Sequence, residues 1–178
     1  MAVLEVIRMG HPTLREMARE LTPEEIASES TARLIEDMRE TLHAYGGIGL
    51  AAPQVNVPVR LAIIEMEGGT NRYVDVEGHD FGVYINPVLK PQAGPGAGYW
   101  EGCLSIPGMR GYVERPQHLI VDYVDVAGVP QTLEARGFLA TVFQHEFDHL
   151  DGTLYIDRLA STELLAFDEE YNQFIAEP

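Results

Sequence analysis

The sequence predicts one domain of mixed helices and strands, α/β or α+β, and three local patterns predict it. Thr22 to Tyr45 carries a helix start signal and an amphipathic stripe. His118 to Ala135 alternates apolar and polar residues on both sides of a Gly-Val-Pro turn, which is a hairpin pattern. Gly137 to Leu150 has helical spacing with apolar residues on both sides, as expected of a buried helix. At 178 residues, with 46% hydrophobic content, the chain 1–178 is long enough to bury a core as a single domain without disulfides. Its single cysteine forms no disulfide framework.

Element by element, Thr22 caps the first helix, Pro23 occupies its first turn, and Glu25 stands three residues after the cap. The helix should run to about Tyr45, with an interruption near Ser28 to Ser30. Ile26, Leu34, Ile35, Met38, Leu42 and Tyr45 form its buried stripe, and Gly46-Gly47 ends it. Arg60 to Met66 and Tyr84 to Lys90 read as strands. Between them Gly68-Gly69-Thr70-Asn71 reads as a turn followed by irregular structure, and Pro91 to Gly98 as a Gly/Pro-rich loop. His118 to Val126 turns at Gly128-Val129-Pro130 into a strand from Gln131 to Ala135. Gly152 is a stop after the buried helix. Ser161 to Ile175, in a C-terminal tail of about 161–178, reads as a solvated amphipathic helix with five acidic and no basic residues after Ala160.

Charge narrows the function. Twelve basic against 28 acidic residues give a net charge of −16. Such a field repels nucleic acid and anionic membranes alike. No run of 18 apolar residues is available to span a bilayer, and the first residues lack the basic start and long apolar block of a signal peptide. The location these features predict is the cytoplasm.

The chemistry concentrates in His145-Glu146-Phe147-Asp148-His149, an H-E-x-x-H segment. Four helical residues nearly complete a turn, so His145 and His149 stack on one face and can grip one cation. Glu146 can then reach a water at that cation without binding it, as a general base must. A catalytic site also needs a third protein ligand. A third histidine is excluded, because Tyr155 stands where H-E-x-x-H-x-x-G-x-x-H would place it. Glu169 or Glu170 would make a metallopeptidase that cleaves internal peptide bonds. Cys103, in Trp100-Glu101-Gly102-Cys103-Leu104-Ser105, would give a His₂Cys site. Alternatively it is a buried, inert thiol. Gly47-Ile48-Gly49-Leu50-Ala51-Ala52-Pro53-Gln54 permits close backbone approach but matches no phosphate-binding loop.

Taken together, G-I-G-L-A-A-P-Q at 47–54, E-G-C-L-S at 101–105 and Q-H-E-F-D-H-L at 144–150 resemble the three signature motifs of the peptide deformylase family, in its order. The resemblance runs from about Ile7 to Leu159. It implies an α+β fold, with antiparallel sheets around a central helix carrying H-E-x-x-H, an N-terminal helix and a C-terminal helix. It implies that Cys103, His145 and His149 bind a divalent metal, Fe²⁺ in this family, although the ligands also suit Zn²⁺, Ni²⁺ or Co²⁺. Glu146 would be the general acid/base. The Gln54 amide and the Leu104 backbone N–H would stabilise the oxyanion. Ile48 and Gly49 would flank the substrate backbone. Phe138, Thr141, Val142 and Ile48 would line the methionine pocket, and Arg110 would meet the residues beyond it. Glu101 and Arg115 resemble the family's structural ion pair. The implied substrates are N-formyl-methionyl nascent peptides at the ribosome exit, and the implied state is a monomer.

Overall fold

The first helical turn follows from its sequence. Thr22 Oγ1 accepts from the Glu25 backbone N–H, and the Glu25 carboxylate accepts from Thr22 N–H at 2.9 Å, closing a capping box over α1 (Pro23–Ile26). Ser28 then caps a second helix, α2 (Glu29–Tyr45), so the interruption expected near Ser28 is a true break between two helices. Gly46, at φ 65°, ends α2 in the left-handed conformation that glycine adopts without strain. The computed structural model describes residues 2–70, 75–76 and 78–176.

The remaining elements are β1 (Gly49–Ala51), β2 (Leu61–Met66), β3 (Gly69–Thr70), β4 (Asp75–Val76), β5 (His79–Pro91), β6 (Gly96–Cys103), β7 (Ile106–Pro116), β8 (His118–Val124), β9 (Pro130–Arg136), α3 (Gly137–Leu150), β10 (Leu165–Phe167) and α4 (Asp168–Phe174). They form an α+β fold. An antiparallel five-stranded sheet has the order β1-β2-β5-β8-β9, a three-stranded sheet the order β10-β7-β6, and β3 pairs with β4.

Alternation along β2 explains the layering, since successive side chains of a strand point to opposite faces. Ala62, Ile64 and Met66 pack with Phe143, Phe147 and Leu150 of α3. Leu61 and Ile63 pack with Met38 and Leu42 of α2. The large sheet is therefore covered by α2 on one side and α3 on the other. The histidines of α3 face the end of β6 instead. There Arg115 of β7 ties the second sheet to the helix, with its Nε 2.6 Å from Glu101 Oε1 and its Nη1 2.8 Å from Asp148 Oδ2, all three side chains being buried.

Four expectations need correction. Tyr45, expected in the buried stripe, is exposed at the end of α2. Gly69 and Thr70 are strand residues paired with Val76 and Asp75, while Asn71 of the expected turn lies outside the described residues. The loop expected over 91–98 is reduced to 92–95, because Pro91 still pairs with Leu119 and Gly96 already pairs with Pro116. The tail is not one helix from Ser161. A 3₁₀ turn at Thr162–Leu164 leads into β10, which adds a third strand to β7, and only Asp168–Phe174 is α-helical. The hydrophobic run Leu164-Leu165-Ala166-Phe167 finds an open strand edge to pair with, and that tertiary contact outweighs its helical spacing.

Candidate metal centre and active site

Helix α3 brings His145 and His149 to one face, and β6 ends at Cys103 opposite them. Their ligand atoms all lie within 4.8 Å of one another, with Cys103 Sγ 3.3 Å from His149 Nε2. Among the described residues this is the one such group of three, so Cys103 completes the pair of histidines in place of Glu169 or Glu170. A thiolate with two imidazoles is a donor set that suits a divalent transition metal.

The surroundings orient the donors. Desolvation works against charge on Glu101, but hydrogen bonds from His145 and Arg115 outweigh it and hold this carboxyl below its usual range. It therefore accepts a hydrogen bond from His145 Nδ1 at 2.8 Å. Burial disfavours charge on His145, but Cys103 and Glu101 outweigh it and raise its pKa well above the ordinary histidine value, so a cation binding at the other ring nitrogen would displace a proton from it. Burial pushes His149 well below the ordinary histidine value, which keeps its ring in the neutral form that ligates.

Glu146 is buried, and one of its oxygens has no hydrogen-bond partner. Burial raises its pKa to about 7. A carboxyl tuned to neutrality beside a metal-ligand cluster is suited to exchanging protons. Gly49 of β1 approaches it so closely that a Cβ there would sit 2.6 Å from Glu146 Cδ.

Gln54 follows β1 in a short 3₁₀ turn and is buried. Its Oε1 accepts from Ala51 N–H at 2.8 Å, which turns its NH₂ towards Cys103 Sγ at 3.5 Å and Ser105 Oγ at 3.3 Å. Ile48, Gly49, Gln54, Cys103, Leu104, Arg110, His145 and Glu146 all line one cleft of about 840 Å³. A small side pocket opens beside it, lined by Ile48, Phe138, Thr141, Val142, His145 and Glu146 together with Trp100, Glu101 and Gly102. The Thr141 hydroxyl accepts from Gln117 at 3.1 Å. The expected site residues thus reach the cleft or its side pocket, except His149, buried behind them as the third member of the donor group, and Arg115, buried on Glu101; Glu169 and Glu170 line neither.

The sequence reading missed two residues here. Trp100 walls the side pocket, and the glycine-rich stretch 96–103 carries no alternation that marks it. Asp168 lines the main cleft, paired with Arg110, and no local signal marks it within an acidic tail.

Fold and site together define a class: an α+β protein whose buried helix presents H-E-x-x-H to a cysteine at the end of a strand. A family-wide profile described as polypeptide deformylase matches residues 3–164. A peptide deformylase of Leptospira biflexa is 41% identical over 170 residues, covering 96% of this chain and 95% of that protein. Two solved structures are similar throughout. The class I type b peptide deformylase of Acinetobacter baumannii with Met-Ala-Ser bound has a TM-score of 0.85 at 33% identity, covering 89% of this chain and 99% of that one. A peptide deformylase of Synechococcus elongatus in complex with actinonin has a TM-score of 0.80 at 36% identity, covering 97% and 86%. The chain belongs to the polypeptide deformylase family, metal-dependent hydrolases that remove the N-formyl group from nascent peptides. The internal-bond metallopeptidase alternative is not favoured.

Proposed function

We propose that this chain hydrolyses the N-terminal formamide of N-formyl-methionyl polypeptides to formate and a free amine, with Cys103, His145 and His149 holding one divalent cation and Glu146 moving the proton. The observation that carries this reading is the buried, partnerless oxygen of Glu146 beside three donor atoms gathered within 4.8 Å. A divalent cation in that cradle supplies Lewis acidity and draws the pKa of a water towards neutrality. Glu146 accepts a proton from the water that attacks the formyl carbon, and returns it to the amine nitrogen as the C–N bond breaks. The Gln54 amide, fixed by Ala51, and the Leu104 backbone N–H donate to the carbonyl oxygen as it gains charge. β1 is an edge strand, so an extended peptide can lie along Ile48 and Gly49 as an added strand. The methionine side chain enters the pocket of Ile48, Phe138, Thr141 and Val142, and Arg110 meets the residues that follow.

We assign Fe²⁺ to the site, with Zn²⁺, Ni²⁺ and Co²⁺ as ions the same donors accept. The working form is a monomer, residues 1–178 acting as one catalytic domain. It acts in the cytoplasm on chains leaving the ribosome. No described helix is long and apolar enough to cross a membrane. The charge of −16 opposes a general affinity for RNA. The deciding experiment uses anaerobically purified protein with its metal content measured, and compares formate release from formyl-Met-Ala-Ser with acetate release from acetyl-Met-Ala-Ser. Formate release alone is expected, since a methyl on the reacting carbon would press on rigid surroundings. Equal rates on both acyl groups, or cleavage of an internal bond in a blocked peptide, would sink the reading. With iron bound, activity should decay in air and persist under argon, because Fe²⁺ and the thiolate both oxidise. Equal stability in air and under argon, with iron confirmed bound, would remove the expected oxygen sensitivity, and absence of iron from the active, anaerobically purified protein would remove the iron assignment.

A further inference from the structure

We propose that the segment 165–174 forms one wall of the peptide cleft, and that Asp168 and Tyr171 are positioning residues which set the Arg110 guanidinium for the residues after the formyl-methionine. The proposal rests on the hydrolase reading above and extends it to a part of the chain with no signature motif. β10 lies along β7 with Ala166 opposite Arg110, which delivers the first turn of α4 to that arginine. Asp168 Oδ1 lies 2.8 Å from Arg110 Nε. The Arg110 side chain is 7% exposed and that of Asp168 41%, so the guanidinium is the buried member of the pair and the carboxylate the exposed one. The Tyr171 ring centroid is 5.1 Å from Arg110 Cζ and 5.2 Å from the Trp100 ring. One tail residue thus touches both the arginine of the main cleft and the tryptophan of the side pocket. Asp168 itself lines the cleft with Cys103 and Glu146.

A buried guanidinium requires a compensating charge. Asp168 supplies it as an ion pair at 2.8 Å, and Tyr171 packs on the charge as aromatic rings do on arginine. An arginine held in this way has less orientational freedom to lose when a peptide arrives. Loosening it should therefore weaken peptide binding and leave the chemistry at the formyl group alone. Glu169 and Glu170 are exposed and carry the same charge on the same helix, so they separate this role from a general effect of the acidic tail.

The test compares Asp168→Asn, Tyr171→Leu and the control Glu169→Gln with wild type, as metal-loaded full-length proteins of measured Tm. Substrates are formyl-Met-Ala-Ser and formyl-methionine amide, which has no following residue. Binding of the product Met-Ala-Ser is measured separately by calorimetry. Asp168→Asn should raise KM for the tripeptide about tenfold with kcat within about twofold, the scale of losing the carboxylate paired with a buried guanidinium. It should raise the Met-Ala-Ser Kd similarly and leave formyl-methionine amide unchanged. Tyr171→Leu should act in the same direction, and stands alone if Asp168→Asn fails to fold. Glu169→Gln should match wild type. Wild-type behaviour of both tail variants, equal losses on the two substrates, or the same loss from Glu169→Gln would each overturn the proposal. A wild-type protein that releases no formate yet binds Met-Ala-Ser, with the Asp168→Asn loss in Kd, would fail the hydrolase reading and keep this one. Formate release without detectable Met-Ala-Ser binding and without a KM change in Asp168→Asn would fail this proposal and keep the hydrolase reading, and absence of both formate release and peptide binding would fail both.

Discussion

Glu146 and Gly49 approach closely in the cleft, leaving no room for a Cβ at Gly49, and each yields a prediction. Glu146→Gln keeps the volume of the side chain and removes its capacity to take a proton. The protein should keep its fold and bound metal while formate release falls by ~10²–10⁴-fold. Metal content falling in step with activity would identify Glu146 as a ligand instead. At Gly49 an added methyl would lie 2.6 Å from Glu146 Cδ and 2.7 Å from Cγ, and the carboxylate is buried with little room to retreat. Gly49→Ala should therefore cut formate release by at least ~10-fold while far-UV circular dichroism stays unchanged, because overpacking displaces the side chain it meets. Full activity in that variant would show that Glu146 tolerates displacement. At this scale the sequence was informative. H-E-x-x-H is set by helical period alone, so His145, Glu146 and His149 were legible. Cys103 was one candidate among three, since the end of β6 meets α3 only through the tertiary fold. The Arg110–Asp168 pair was not legible, because it joins a strand residue to a tail separated from it by the whole of β8, β9 and α3.

Among the elements, β2 and α2 are clasped by a small ionic cluster. Glu65 of β2 accepts from Arg39 Nε at 2.9 Å and lies 2.7 Å from His43 Nε2, both residues being on α2. The hydrogen bond from Arg39 is the main reason the Glu65 pKa is depressed, to about 2. A depressed carboxylate stabilises the fold above its unfolded value and loses that contribution as pH falls through the folded one. The Tm difference between wild type and Glu65→Gln should thus be constant above about pH 5 and shrink towards zero near pH 2. It should not exceed about 4 °C, because the partners face solvent. A difference that grows on acidification would contradict the assignment. Regular elements were legible where local signals agree: the Thr22–Glu25 capping box, the hairpin of β8 and β9, and α3. β5 begins five residues before the strand expected from Tyr84. Asp80 and Gly82 interrupt its pattern, and the register shifts between Ile85 and Val88, where Asn86 adopts φ 49° and bonds both backbone groups of Leu21. A strand irregularity held by a distant loop leaves no period to read.

Across the whole molecule, the donor group joins two layers. Cys103 closes the β6 end of one sheet and His149 sits on the helix packed against the other, 46 residues further along. A cation bound there binds the folded chain and finds no such site in the unfolded one, so its binding energy adds to stability. Chelation followed by dialysis should lower Tm on the order of 10 °C, taking ~4 kcal/mol for a thousandfold excess over Kd and ~2–4 °C per kcal/mol for a chain of this size. Adding the metal back should restore it, and Cys103→Ala should abolish the metal-dependent part. An unchanged Tm after verified metal removal would show that the three residues bind weakly or not at all. The layer order was not legible in the sequence. β2 is buried on both faces by helices that come from opposite ends of the chain, and apolar content alone does not say which helix covers which face.

The pairing of β10 with β7 also sets a temporal order. Translation delivers Leu165–Phe167 some fifty residues after the Met109–Gly111 stretch they cover. While the chain is being made, the β6–β7 hairpin can form early, because its contacts are near in sequence. Its outer edge then waits with unpaired backbone groups, the kind of surface on which a neighbouring nascent chain could template. Synthesis rate and crowding on a polysome, rather than the stability of the finished protein, would then govern how much of it aggregates.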